Sequence, residues 1–334
     1  MREPAFWWRK AGLASGLLAP AAACYGAIAA RRMLRQGTRA GVPVLCVGNF
    51  TLGGAGKTPA VMRLAKLLQE AGERVFCLSR GYGGSLAGPK RVDAHSDHAA
   101  QVGDEALLLA RVAQTMVARD RVAGAEAAAA AGASVVIMDD GLQNASLAKN
   151  FTLAVVDGRR GLGNARVFPA GPLRAPLAVQ IARTDALLVV GEATGAGDAV
   201  AAAHGLPIFH GHLQPDPAAI AELKARKVLA FAGIGDPDKF FATATEAGIA
   251  VARRQAFPDH HCFSAEEAAE LIMRAEHDGL ALLTTEKDRA RMTGEPLLAA
   301  LAAKAHVLPV TLAVIEAEEL RALVLAIIKR HRPA

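Results

Sequence analysis

Lys57 and Thr58 follow the small-residue run Gly53-Gly54-Ala55-Gly56, which itself follows the apolar stretch from Val42 to Gly48. A glycine-rich turn between a strand and a helix lets backbone N–H groups point at phosphate oxygens. A lysine at the end of such a turn neutralises β and γ phosphates, and the hydroxyl beside it reaches Mg²⁺. The expected nucleotide loop is therefore Thr51, Leu52, Gly53, Gly54, Ala55, Gly56, Lys57 and Thr58. Its spacing departs from G-x-x-x-x-G-K-[ST] in one place: Thr51 stands where the earlier glycine is usually found, followed by Leu52, and the glycines crowd toward the lysine. Pro59 fits the first turn of a helix, where N–H groups are unpaired.

A second feature completes the phosphate chemistry. Val135-Val136-Ile137-Met138 ends in Asp139-Asp140-Gly141, a strand that delivers carboxylates to a sheet edge. Acids placed there hold Mg²⁺ in phosphate-transferring proteins, although an Asp pair at a strand end also suits a turn. With the loop, Asp139 and Asp140 share the metal duty with Thr58, and the expected ligand is a Mg-nucleoside triphosphate. Asp104-Glu105 open a helix, where acids also offset the helix dipole. Asp259-His260-His261 invites a metal reading, but adjacent side chains in an extended loop point apart. Arg80, Arg119, Arg121 and Arg174 are candidates to grip phosphate. Gln143 is either a turn residue or a contact to phosphate or sugar. Thr284-Thr285-Glu286-Lys287-Asp288 reads best as a helix N-terminus, with a hinge or base contact as the alternative. Gly233-Ile234-Gly235 reads as a tight turn.

These residues need a scaffold. Apolar runs of strand length alternate with helical segments from Val42 onward, which predicts an α/β fold with largely parallel sheets. A polar stretch with two prolines, His210 to Ile220, suits a linker. The expected units are an N-terminal helix over 1–35, a phosphate-loop domain over 36–212 and a smaller α/β domain over 213–334. Aromatic residues make up 4% of a chain that is 52% hydrophobic, so the core is built from Ala, Val, Leu and Ile. Net charge is +6, suited to nucleic acid, an anionic membrane or a phosphorylated substrate without choosing among them. The four cysteines share no C-x-x-C spacing, which suggests neither a zinc site nor a disulfide framework.

Ala11 to Ala30 carries no charge and is flanked by Trp7-Trp8-Arg9-Lys10 and by Arg31, Arg32 and Arg35. Its length would cross a bilayer, but it is mostly Ala and Gly, with Pro20 in the middle. A signal peptide, a spanning helix, a helix lying on the membrane surface and an ordinary packed helix all remain open. Positive charge on both flanks argues against clean spanning. Paired Trp beside basic residues suits a headgroup boundary, which favours the surface helix.

Seven runs, in order, carry a resemblance: Val47-Gly48-Asn49 with the loop, Ser79-Arg80-Gly81-Tyr82-Gly83-Gly84, Gly103-Asp104-Glu105, Asp139 to Gln143, Pro169 to Arg174, Phe257 to His261, and Thr285 to Asp288. From Trp7 to about residue 310 the chain resembles the tetraacyldisaccharide 4'-kinases, the lipid A 4'-kinases of Gram-negative bacteria. The resemblance implies a P-loop NTPase-like kinase that moves the γ-phosphate of ATP to the 4'-hydroxyl of a tetraacylated glucosamine disaccharide 1-phosphate. It implies Lys57, Asp104 and His260 as catalytic, with Asp104 taking the hydroxyl proton beside His260 and the adjacent His261 as the alternative partner, and it favours Arg80 and Arg174, with Gln143, toward substrate. It also implies work at the cytoplasmic face of the inner membrane, peripheral or monotopic, with a lipid substrate, no nucleic acid and no obligate protein partner. Ala175 stands where many members carry Glu, and Cys262 where many carry Pro. Two other classes compete: a membrane-bound P-loop switch, which would need an N-K-x-D base reader in the loop's own domain, and a soluble small-molecule kinase.

Overall fold

The computed structural model describes residues 3–192 and 195–332, so the outermost residues of the expected N-terminal and C-terminal units lie outside the described residues. The first sheet takes its strands from both ends of the chain. They are β1 (Val44–Asn49), β2 (Val75–Ser79), β3 (Lys90–Arg91), β4 (Gln114–Val117), β5 (Val135–Asp139), β6 (Phe151–Asp157), β7 (Ala186–Val190) and β8 (Ile208–Pro215). A second sheet uses β9 (Lys227–Ala232), β10 (Ala250–Ala256), β11 (Ala281–Thr284) and β12 (Ala305–Val307), and β13 (Val310–Val314) returns to the first. The large sheet runs β13-β8-β7-β6-β1-β5-β2-β4-β3, and the small one β10-β9-β11-β12.

Among the described residues, the named strands pair in parallel except β3 with β4 and β13 with β8. Parallel strands are buried on both faces, which explains apolar runs that do not alternate. In β1, Leu45 and Val47 pack with Val61, Leu64 and Leu68 of the helix Lys57–Glu70, while Val44 faces a different cluster with Ala125 and Ala128. In β9, Leu229 and Phe231 meet Phe257 and Phe263 on one side, and Val228 and Ala230 meet Phe240 and Phe241 on the other.

The sheets divide the chain differently from the boundary expected at 212 and 213. His210 to Pro215 is strand, not linker, and β13 pairs with it across nearly the whole of the small unit. Close by in sequence, β12 and β13 are separated by two residues yet pair into different sheets. Polar residues and a terminal proline hid β8, because the hydrogen bonds that make it a strand come from residues far along the chain. The C-terminal helix Ala317–His331 also belongs with the large sheet: Leu320, Val324 and Ile328 are buried against Leu64 and Leu68.

At the other end, Ala11 to Ala30 forms two helices, Leu13–Leu17 and Ala19–Met33, broken at Leu18 ahead of Pro20. Among the described residues no helix is long and apolar enough to cross a membrane. One side docks on the fold, with Gly26 facing Pro176 and Val167, while Leu13, Leu17, Ile28 and Leu34 are exposed. Trp7 departs from the expected headgroup role. It is buried, its Nε1 donates to Pro169 O at 3.0 Å, and its ring meets Phe168 edge-on. Trp8 Nε1 donates to Glu3, and its ring lies under Arg160.

Ile328→Ala should cost about 2–5 kcal/mol, the range for truncating a buried aliphatic side chain. Urea unfolding checks this, and a change under about 0.5 kcal/mol, typical of surface substitutions, would place the C-terminal helix outside the core.

Candidate active site

The loop and the acidic strand end converge because β1 and β5 are parallel neighbours. Their register sets Val47 beside Asp139, so both chains leave the sheet at the same edge. Gly56 opens the following helix at φ 87°, a left-handed conformation that favours glycine. Among the described residues, the backbone N–H groups of Gly53 to Thr58 donate to no protein acceptor, as an anion cradle requires. Leu52 departs from the expected set, since its N–H donates to Pro172 O at 2.8 Å. Thr51 is likewise tied down: its carbonyl accepts from Asn49 Nδ2 at 2.7 Å and from Arg174 Nε at 2.9 Å.

Lys57 Nζ donates to Asn49 Oδ1 at 3.1 Å and lies 3.7 Å from Asp140. Burial pushes the Lys57 ammonium below its usual range, partly offset by Asp140. Arg174 Nη1 reaches both Asp140 oxygens at 2.8 and 2.9 Å. Burial would raise the Asp140 pKa, but Lys57 and Arg174 outweigh it and hold it at about 2. Asp139 has the opposite surroundings. It is buried beside the Glu105 and Asp140 carboxylates, which pushes its pKa up, and its Oδ1 is buried without a hydrogen-bond partner among the described residues. An orphaned buried carboxylate oxygen at the sheet edge where the phosphate loop also leaves is what a hard cation would satisfy. Thr58 Oγ1 is turned toward Glu105 Oε1 at 3.5 Å. Thr58, Asp139 and Asp140 thus fit Mg²⁺ as a set, with Asp139 holding the acceptor that is unused.

The three residues expected toward substrate differ in setting. Gln143 Nε2 donates to Asn49 O at 2.8 Å and to Gln180 Oε1 at 2.7 Å, bracing the strand end. Arg174 braces Asp140, as described. Arg80 is exposed. Arg121 is buried, with a 3.4 Å donation to the Asp139 carbonyl, and Arg119 donates to the Gly84 and Ser85 carbonyls.

Asp104 lies at the first turn of the helix Asp104–Ala110, with only 3% of its side chain exposed. His260 Nδ1 stands 3.4 Å from its Oδ2, brought in from the small unit on a residue with φ 55°. His261 does not share this position: its Nε2 pairs with Glu267 at 2.8 Å, and its ring stacks on Phe257. The Tyr82 ring lies 4.7 Å from the His260 ring. Burial would raise the Asp104 pKa; the His260 contact and the charges of Arg291 and Lys287 outweigh it and hold it well below the usual carboxylate range.

Several contacts were not anticipated from the sequence. The helix Glu286–Arg291 is capped by Thr285, as its pattern predicts, but it also sends Lys287 to Glu105 at 2.7 Å and Arg291 to Asp104. Asn49, fully buried, links the loop to Lys57. Only the run of charges Glu286-Lys287-Asp288-Arg289 and Arg291 hinted at partners elsewhere; nothing local says that they lie on the other sheet's unit.

The profile of the family described as tetraacyldisaccharide-1-P 4'-kinase matches residues 14–329. The chain is 55% identical over 327 residues to a tetraacyldisaccharide 4'-kinase of Bradyrhizobium sp. strain BTAi1, covering 97% of this chain and 94% of that one. It is 56% identical over 312 residues to that of Methylobacterium sp. strain 4-46, covering 92% and 94%. Among solved structures, LpxK from Aquifex aeolicus in complex with ATP superposes with a TM-score of 0.72 at 28% identity, covering 95% of this chain and all of that one.

His260 is more basic than a free imidazole: burial opposes this, but Asp104 and Asp259 prevail. Its contact with Asp104 therefore stabilises the fold below the unfolded imidazole pKa of about 6.5, and that stabilisation fades as pH rises through the higher folded value. Asp104→Asn should lower the His260 pKa, read from the imidazole NMR resonances against pH. An unchanged titration would mean that Asp104 does not set it.

Proposed function

The chain belongs to the tetraacyldisaccharide-1-P 4'-kinase family, and from that premise we propose how its residues carry out ATP-dependent phosphorylation of the 4'-hydroxyl of a tetraacylated glucosamine disaccharide 1-phosphate. The observation that carries the reading is the meeting, across two sheets, of a buried Asp104–His260 pair with a phosphate loop whose N–H groups are free. It joins a proton acceptor to a triphosphate cradle.

In this reading the backbone from Gly53 to Thr58 and the Lys57 ammonium hold the β and γ phosphates. Thr58, Asp139 and Asp140 would hold Mg²⁺, which when bound neutralises charge on the phosphates. The 4'-oxygen forms a bond to the γ-phosphorus as the bond from that phosphorus to the β–γ bridging oxygen breaks, and ADP leaves. The hydroxyl proton passes to Asp104. A carboxylate with a depressed pKa is a weak base, so the proton leaves late, as a loose transition state permits. Lys57 compensates charge that moves onto the leaving oxygen.

The unit built on the small sheet, 216–309, carries His260 and is joined to the large sheet by β8 and β13. Movement about those strands would open the site for the lipid and close it against water. The exposed side chains of Leu13, Leu17, Ile28 and Leu34, with Arg31, Arg32 and Arg35 interleaved near the end of the second helix, are suited to rest on an anionic bilayer, where the acyl chains of the acceptor lie. This supports a peripheral or monotopic site of action on the cytoplasmic face of the inner membrane.

Transfer of label from γ-labelled ATP to the disaccharide 1-phosphate in mixed micelles tests the assignment. Asp104→Ala should lower kcat by roughly 10²–10⁴-fold, the range for loss of a general base. Lys57→Ala should abolish most of the transfer while the protein stays folded. Near-parental rates in either variant would remove that residue from the reaction.

A further inference from the structure

The Asp104 carboxylate has a third partner besides His260 and its own helix. Arg291 Nε donates to Asp104 Oδ2 at 2.8 Å, and Nη2 donates to the same oxygen. The guanidinium is itself immobilised. Its Nη1 donates to Asp288 Oδ1 at 3.0 Å and to the Gly233 carbonyl at 2.8 Å. Asp288 is fully buried, and is fixed in turn by Thr285 Oγ1 at 2.6 Å and by Gly233 N–H at 3.0 Å. The Gly233 carbonyl also accepts from His260 N–H at 3.1 Å. Gly233 has no room for a side chain, since a Cβ there would lie 2.9 Å from His261 Cβ and 3.1 Å from Asp288 Oδ1.

This chain of contacts has a geometric result. Asp104 Oδ2 is occupied by Arg291 and faced by His260, whereas Oδ1 accepts one hydrogen bond, from Glu105 N–H at 2.8 Å. A carboxylate oxygen has two acceptor positions, so Oδ1 keeps one in hand. A guanidinium is planar and presents its donors in a fixed fork, which sets the rotation of the carboxylate as well as its charge.

We propose that Arg291 is a positioning residue for the phosphotransfer: held by Asp288 and the Gly233 carbonyl, it grips Asp104 Oδ2 and so turns Oδ1 toward the acceptor hydroxyl. The same Gly233 carbonyl holds His260, so one turn of the small unit aligns both partners of Asp104. The proposal rests on Asp104 as the proton acceptor. It gives Thr285-Glu286-Lys287-Asp288 and Arg291 a common task, in which Lys287 engages Glu105, Arg291 engages Asp104 and Asp288 keeps Arg291 in plane.

The test uses the full chain in mixed micelles, with ATP, Mg²⁺ and the disaccharide 1-phosphate, and compares Arg291→Ala, Arg291→Lys, Asp104→Ala and the double variant Asp104→Ala/Arg291→Ala. Arg291→Ala should lower kcat by roughly 10–100-fold, the scale of a misplaced catalytic group, with KM for ATP within about threefold of the parent. Arg291→Lys restores the charge without the fork and should fall between the two. In the Asp104→Ala background, loss of Arg291 should lower kcat no further, because residues acting as one unit are not additive. Parental kcat in folded Arg291→Ala, or losses that multiply in the double variant, would overturn the proposal. Should Arg291→Ala fail to fold, Arg291→Lys decides alone, and a parental kcat there rules out positioning by the fork. If Asp104→Ala by itself keeps parental kcat, the base assignment fails first, a result read from a variant that leaves Arg291 in place.

Discussion

A carboxylate removed from water must be met by cations or become protonated, and Asp104 is such a carboxylate. Its own helix supplies a single backbone N–H. The charged groups that keep it ionised, Arg291, Lys287 and His260, all come from the unit built on the other sheet. The site is therefore complete only when the two sheets stand in this arrangement. Removing one partner from a buried ion pair typically costs about 3–5 kcal/mol, so the same contacts tie the two units together.

The connection between the sheets follows from that requirement. β8 carries the chain out of the large sheet and β13 brings it back, antiparallel, over residues Gly211 to Pro215 and Val310 to Val314. Two strands hydrogen-bonded to each other hold orientation better than one loop would, and elsewhere the two sheets share no strand pairing. Further ion pairs cross near the phosphate loop, from Lys239 to Asp157 and from Arg159 and Arg160 to Asp236. Glu3 joins that second cluster through Arg160, which brings the N-terminal segment against the loop.

The two carboxylates at the end of β5 show how position separates chemically identical groups. Asp140, at φ 51°, turns toward Lys57 and Arg174 and is held ionised. Asp139 stays in the strand direction, buried and with an unpaired oxygen. The one is braced by two cations, the other keeps an acceptor position unused. Arg174 reaches Asp140 from the segment Pro169 to Arg174, against which Trp7 and Ser15 also pack. The N-terminal helices and the carboxylate edge of β5 thus share one support.

Much of this was legible in the sequence where the determinants are local. The phosphate loop is written in glycines beside a lysine, the parallel sheet in unbroken apolar runs, and the cap of Glu286–Arg291 in Thr285 three residues before Asp288. The motifs were also sufficient to identify the family and its activity. What the sequence left open is what depends on distant partners. Whether His260 or His261 meets Asp104 turns on a backbone at φ 55° and on a Gly233 carbonyl far along the chain. β8 is a strand only because β13 pairs with it, and Trp7 is a core residue only because Phe168 and Pro169 fold over it. The grip of Arg291 on Asp104 has no local signal at all. A charged residue on a short helix is ordinarily solvated, and only the packing of one unit on the other takes water away from both charges and makes their contact decisive.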